Sequence, residues 1–203
     1  MSSFSRIQLE NWLKQIDVKG SVIDIGGAQN PIKGRTKSWD ISDYKILDLK
    51  EPHQCKQKPD IIWDLNKRPI SGLGYEKEFE KIVNKDYEII PFDVVFCLEV
   101  FEYIWNPIDA LRNIGELLKK DGIFYSSWHF IYPHHNPREL DFLRYTPMGV
   151  NKLLREVNFE ILEHLPRTTQ VADLRETWAS EQMRGWKDMD NTIIGSLVKA
   201  RKM

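Results

Sequence analysis

The sequence predicts an α/β fold, and three observations carry that prediction. Five short apolar runs are each bounded by turn residues, stripes of apolar residues at helical spacing separate several of them, and four of the runs end in a carboxylate. A chain of 203 residues with 41% hydrophobic content can bury one substantial core and is short for two complete domains. A single domain over residues 1–203 is therefore expected.

Ile7, Leu9, Trp12, Leu13 and Ile16 recur at roughly helical spacing and Lys19-Gly20 supplies a stop, which predicts an amphipathic helix within residues 1–20. The five runs follow: Ser21 to Ile25, Lys45 to Leu49, Asp60 to Leu65, Phe92 to Leu98 and Gly122 to Trp128, each read as a strand of a buried parallel sheet. Between the last two, Asn106-Pro107 offers an N-cap and a first-turn proline. Ile108, Leu111, Ile114, Leu117 and Leu118 then form a core-facing stripe that ends near Gly122. Thr146-Pro147 repeats the start signal before Val150, Leu153, Leu154 and Val157, and Phe159 to Leu162 and Thr192 to Val198 read as two more strands. Two stretches break the alternation. Lys67 to Ile90, with Tyr75, Phe79, Ile82 and Val83, suggests a helix flanked by loops, and Pro166 to Asn191, with Trp178 and Trp186, suggests a helix partly covering the site. They enter the domain reading as insertions or cover segments at 67–91 and 166–191.

Composition excludes several function classes. With 29 basic and 30 acidic side chains the formal net charge is -1, so no global field draws in nucleic acid or an anionic membrane. Cys55 and Cys97 are the only cysteines and lie far apart, which gives neither a disulfide framework nor a paired-cysteine zinc signature. The first residues are too polar for a signal peptide, and no apolar run approaches the roughly 20 residues of a membrane helix. The expectation is a cytoplasmic protein with no membrane partner; the composition is silent on oligomeric state.

The chemistry sits at the strand ends. Val22-Ile23-Asp24-Ile25-Gly26-Gly27-Ala28 is a buried strand that runs into a glycine turn, where backbone can approach a ligand with no Cβ in the way. Lys45-Ile46-Leu47-Asp48 ends in a carboxylate at the position where nucleotide-binding folds hold ribose hydroxyls. Asp64 and Glu99 end the third and fourth strands. Any of these could merely cap a following helix, yet four in succession favour a ligand site along the carboxyl edge of the sheet.

The order DIGGA, KILDL, DIIWDL, FDVVFCLEVFEYIWNP and LLKKDGIFYSSW resembles the class I S-adenosylmethionine-dependent methyltransferases over about Ser21 to Leu162. The later HHNPRELDFLRYTPMGVNKLLREVNFEI is similar to a segment common in bacterial members. This resemblance implies a three-layer Rossmann-like sandwich. Its sheet would have seven mostly parallel strands, one of them antiparallel near the C-terminus, with S-adenosylmethionine along the ends of the first four. It also implies that Asp24, Gly26 and Gly27 lie along the methionine part, Asp48 holds the ribose, Asp64 and Leu65 border the adenine, and Leu98 and Glu99 line the floor beside the methyl group. The chain departs from the family pattern in three places. Ala28 and Asn30 replace usual glycines, and Tyr103 stands where relatives often carry histidine, which weakens the case for a general base there. Pro31 disfavours helical backbone at Asn30, so no helix N-terminus follows the glycines at once to receive a pyrophosphate.

On the acceptor side, His129, Tyr132, His134 and His135 follow the fifth strand, where they could be plain loop residues or could take a proton from an attacking hydroxyl or amine. His129, His134, His135 and Glu102 are the catalytic candidates, and Tyr103, Tyr132, Asp141 and Arg144 the substrate-binding ones. Arg144 could grip an anionic acceptor or simply pair with Asp141. No ligand spacing predicts a metal. The expected activity is O- or N-methylation of a small molecule or surface-glycan precursor; the rivals are cofactor binding without turnover and an NAD(P)-dependent sugar-modifying enzyme.

Overall fold

The computed structural model describes residues 4–67, 90–169 and 192–203. Helix α1 (Phe4–Leu13) leads into strand β1 (Asp17–Ile25), followed by β2 (Ser38–Asp48), β3 (Ile61–Ile62) and β4 (Phe92–Cys97). Helix α2 (Pro107–Leu117), β5 (Leu118–His129), α3 (Pro147–Glu156), β6 (Phe159–Thr169) and β7 (Thr192–Lys202) follow, with single 3-10 turns at Phe101–Tyr103 and Arg138–Leu140. The seven strands form one sheet in the order β3-β2-β1-β4-β5-β7-β6. Strands β1 to β5 run parallel to one another, and β7 is antiparallel to both β5 and β6. This is the seven-stranded, mostly parallel architecture expected, with β7 as the reversed strand.

Both faces of the sheet are covered because successive residues of the central strands point to opposite sides. Val22, Val94 and Phe96 pack with Leu9, Trp12 and Leu13 of α1. Their neighbours Ile23, Val95 and Cys97 pack with Leu111 and Ile114 of α2 and Val150 and Leu154 of α3. Helix α3 starts on a true cap, the Thr146 hydroxyl accepting from the Gly149 N–H at 3.0 Å. Asn106 occupies the same position before α2, but its side chain donates to Asp109 Oδ2 at 2.7 Å and caps no backbone group.

Several boundaries move. Helix α1 stops at Leu13, and Gly20, read as its stop signal, lies inside β1 at φ +86°, where a Cβ would come 2.4 Å from Asp93 Oδ2. Helix α2 ends at Leu117, and β5 begins at once at Leu118, before Gly122. Strands β2, β6 and β7 outrun their apolar stretches, and only Ile61 and Ile62 of the third run pair with β2. The helices expected within 67–90 and 166–191, with Trp178 and Trp186, fall almost entirely outside the described residues.

β6 is an edge strand, and α1 covers its end. The Gln8 amide donates to the Thr168 carbonyl at 2.7 Å and accepts from the Thr168 N–H at 3.0 Å, occupying backbone groups that would otherwise template another strand. Trp12 Nε1 donates to Glu163 Oε2 of the same strand at 2.9 Å.

Candidate active site

The sheet order reverses direction between β1 and β4: from β1 the chain moves outward to β2 and β3, then returns to β4 and moves out the other way. Loops at the carboxyl ends of the two strands diverge there, leaving a crevice. A cleft of about 800 Å³ occupies it.

One wall comes from β1 and β2. The chain turns at Gly26 with φ +76°, its N–H donating to the Leu47 carbonyl at 2.8 Å, and a Cβ there would lie 2.4 Å from Val100 Cγ2. Glycine is required at that point by both dihedral and space. Asp48 faces the cleft while its Oδ2 accepts from the Ala28 N–H at 3.1 Å and its Oδ1 from the Leu49 N–H at 2.8 Å, tying the two strand-end loops together. Burial raises its carboxyl above the ordinary range. Asp64 and Leu65 continue this wall, with the Asp64 carboxylate accepting from the Asn66 N–H at 2.9 Å.

Asp24 turns away from the cleft. Its carboxylate accepts from the Ile32 N–H at 2.7 Å and the Tyr44 hydroxyl at 2.8 Å, so it pins the far end of the glycine loop from behind. Burial pushes its carboxyl up to about 6. A Cβ on Gly27 would strike that carboxylate at 2.4 Å, which explains the second glycine. Asp24 and Leu98 border only a side hollow of about 50 Å³.

The floor is a buried charge cluster at the ends of β4 and β5. Glu99, in left-handed backbone at φ +58°, accepts from Arg167 Nη1 and the Ser127 hydroxyl, both at 2.6 Å, and its Oε2 lies 3.1 Å from His129 Nε2. Burial alone would raise the Glu99 carboxyl, but the positive charges of His129 and Arg167 outweigh it and hold the group well below the usual range. Glu102 is fully buried, with Oε1 2.8 Å from His135 Nδ1 and 3.4 Å from His129 Nε2. Burial favours its neutral form, and the two histidines reverse that, lowering it. His129 is depressed by burial yet raised by Glu99 and Glu102, to about 9.

The opposite wall carries Tyr103, Tyr132, His134 and His135. Tyr103 donates its hydroxyl to the Asn136 carbonyl at 2.6 Å, and the Tyr132 ring stacks on His129 at 4.0 Å. Of the remaining candidates, His129 and Glu102 lie beneath this wall, 1% and 0% exposed. Asp141 and Arg144 pair with each other through two bonds at 2.5 and 2.6 Å, and Arg144 also donates to the Leu143 and Pro133 carbonyls. They brace the loop. Asp141 also fixes His135, accepting its backbone N–H at 2.8 Å.

Arg167 escapes sequence reasoning. It sits on β6, inside a stretch read as cover, opposite Gly195 of β7, and reaches from there to the floor. A Cβ at Gly195 would meet the Trp128 carbonyl at 2.3 Å. A lone arginine in a polar run carries no local signal for burial.

Solved structures share this fold. An S-adenosylmethionine-dependent methyltransferase from Mesorhizobium loti is 15% identical with a TM-score of 0.56, covering 98% of each chain. Another from Clostridium acetobutylicum is 11% identical with a TM-score of 0.56, over 98% of this chain and 90% of the other. The [4+2]-cyclase SpnF is 15% identical with a TM-score of 0.52, over 98% of this chain and 81% of the other. At these identities the likeness speaks for the fold alone. No sequence among curated proteins matches. A profile described as a methyltransferase domain matches residues 4–164, which spans α1 through half of β6, and the chain belongs to that methyltransferase family.

Proposed function

We propose that the chain is a single-domain methyltransferase that binds S-adenosylmethionine in the 800 Å³ cleft and methylates oxygen or nitrogen of a small molecule or surface-glycan precursor. The observation that carries this reading is the convergence of the Gly26 turn, Asp48, Asp64 and Glu99 on one cleft at the switch point of the sheet. The residues fit the cofactor. Each Asp48 oxygen accepts one N–H and keeps a lone pair for a ribose hydroxyl, while Leu47, Trp63, Leu65 and Ile104 give apolar wall for an adenine. Bound there, S-adenosylmethionine supplies an electrophilic methyl group on a sulfonium. The protein's share is alignment and exclusion of water. Tyr103, Tyr132, His134 and His135 would orient the acceptor on the opposite wall.

Calorimetry with S-adenosylmethionine, S-adenosylhomocysteine and a nicotinamide cofactor tests the reading. Both sulfur compounds should bind one to one, and Asp48→Ala should weaken them by about 1.5 to 3 kcal/mol, the range for hydrogen bonds to a charged group, with the fold intact. Binding of the nicotinamide cofactor alone would overturn it. The fold also serves a cyclase, so turnover is assayed separately from binding.

A further inference from the structure

We propose that Glu102, His129 and His135 form a site for a divalent transition-metal ion at the acceptor end of the cleft. One ligand atom from each lies within 4.8 Å of the other two. His135 Nδ1 stands 2.8 Å from Glu102 Oε1, and His129 Nε2 stands 3.4 Å from the same oxygen. Metal bonds of about 2.0 to 2.2 Å at tetrahedral or octahedral angles put neighbouring ligand atoms roughly 3.0 to 3.5 Å apart, so both carboxylate–imidazole separations are near what an ion needs and the two imidazoles, within 4.8 Å, would draw closer around it.

Two imidazoles and one carboxylate are a ligand set for zinc and other first-row ions that keep open positions. Nothing in the sequence spacing shows it. The three residues come from the segment after β4, the end of β5 and the loop beyond, and only folding joins them.

The second observation is unmet bonding capacity. Glu102 Oε2 is buried with no hydrogen-bond partner among the described residues, and so is Nδ1 of His129, a ring 1% exposed whose Nε2 faces the Glu99 and Glu102 carboxylates. Buried polar atoms left so cost free energy that a ligand would recover. Aromatic and backbone contacts fix both rings in place. Tyr132 stacks on His129 at 4.0 Å, Tyr103 stacks on His135 at 5.8 Å, and Asp141 anchors the His135 backbone.

His135 is about one-third exposed and lines the cleft, so open coordination positions would face the acceptor. The site therefore favours an acceptor that presents oxygen, a part of the proposal that rests on the methyl-transfer reading. There the hydroxyl gives its proton to water, its oxygen bonds to the methyl carbon, and the carbon–sulfur pair stays on sulfur.

The test is titration of the full chain with Mn²⁺, followed by the loss of the free-ion paramagnetic resonance signal. Expected are one bound ion per chain, displacement by equimolar Zn²⁺, and affinity at least about tenfold weaker in His135→Ala and Glu102→Gln, since loss even of outer partners costs 10- to 100-fold. His135 is at the surface, so its variant should keep the circular dichroism of the parent. No stoichiometric Mn²⁺ binding, or equal affinity in a folded His135→Ala, overturns the proposal. Mn²⁺ binding in a protein that does not bind S-adenosylmethionine would uphold the metal site and sink the methyl-transfer reading, and the converse would do the opposite.

Discussion

At the scale of single residues, the four strand-end carboxylates were legible as a set but not in their separate roles. Asp48 and Asp64 face the cleft, Glu99 is locked to Arg167, and Asp24 points backward into the glycine loop. A strand end looks the same in sequence whichever way its side chain turns, because rotamer and loop path are settled by tertiary neighbours such as Tyr44. Asp24 yields a pH prediction. Its carboxyl titrates at about 6 in the fold against about 3.8 when free, so between those values the native state holds more protons than the unfolded one. Stability from this group therefore falls as pH rises through that window and is level above it. In Asp24→Asn this loss is absent, and the variant's stability relative to the parent should improve by on the order of 2 to 3 kcal/mol from pH 4 to pH 7. Urea melts at both pH values measure it; a difference that does not move with pH would show that the Asp24 proton plays no part in stability.

Elements were legible wherever their own residues decide them. The apolar cores of β1, β4 and β5 and the proline starts of α2 and α3 stand where their patterns put them. Ends decided by a partner strand were not. The outer half of β2, Ser38 to Tyr44, is mostly polar, yet it pairs with Asp17 to Val22. Gly20 resembles a helix stop but serves a close approach between β1 and Asp93, whose Oδ2 accepts from the Ser21 N–H at 2.7 Å. The two helix starts, alike in sequence, should separate in experiment. Thr146→Ala removes a real cap and should cost about 1 kcal/mol, while Asn106→Ala, which loses only a side-chain bond to Asp109, should cost a few tenths. Equal losses in denaturant melts would mean that the cap geometry does not govern α3.

For the whole molecule, sheet topology followed from alternating elements, while the floor of the cleft did not, since Glu99 and Arg167 are 68 residues apart in sequence. Arg167 joins these scales. It ties β6 to Glu99 and, through a bond to the Ser5 carbonyl at 3.0 Å, to α1. Replacing it with leucine strips one of two positive partners from a largely buried carboxylate and should cost about 3 kcal/mol, read as a fall in the urea midpoint. A change below about 1 kcal/mol would mean that water already reaches Glu99.

The clasp between α1 and β6 has a consequence in time. Gln8 and Thr168 are 160 residues apart, and a ribosome adding roughly 5 to 20 residues per second needs about 8 to 32 seconds to cover that gap. In the later part of that interval, once β4 has been made, the apolar face of α1, with Leu9, Trp12 and Leu13, can dock on β1 and β4 but has no strand to close against, and Glu99 has no guanidinium. The nascent chain thus carries a half-built sheet whose charged floor is neutralised last, making the interval before β6 emerges the natural window for chaperone capture.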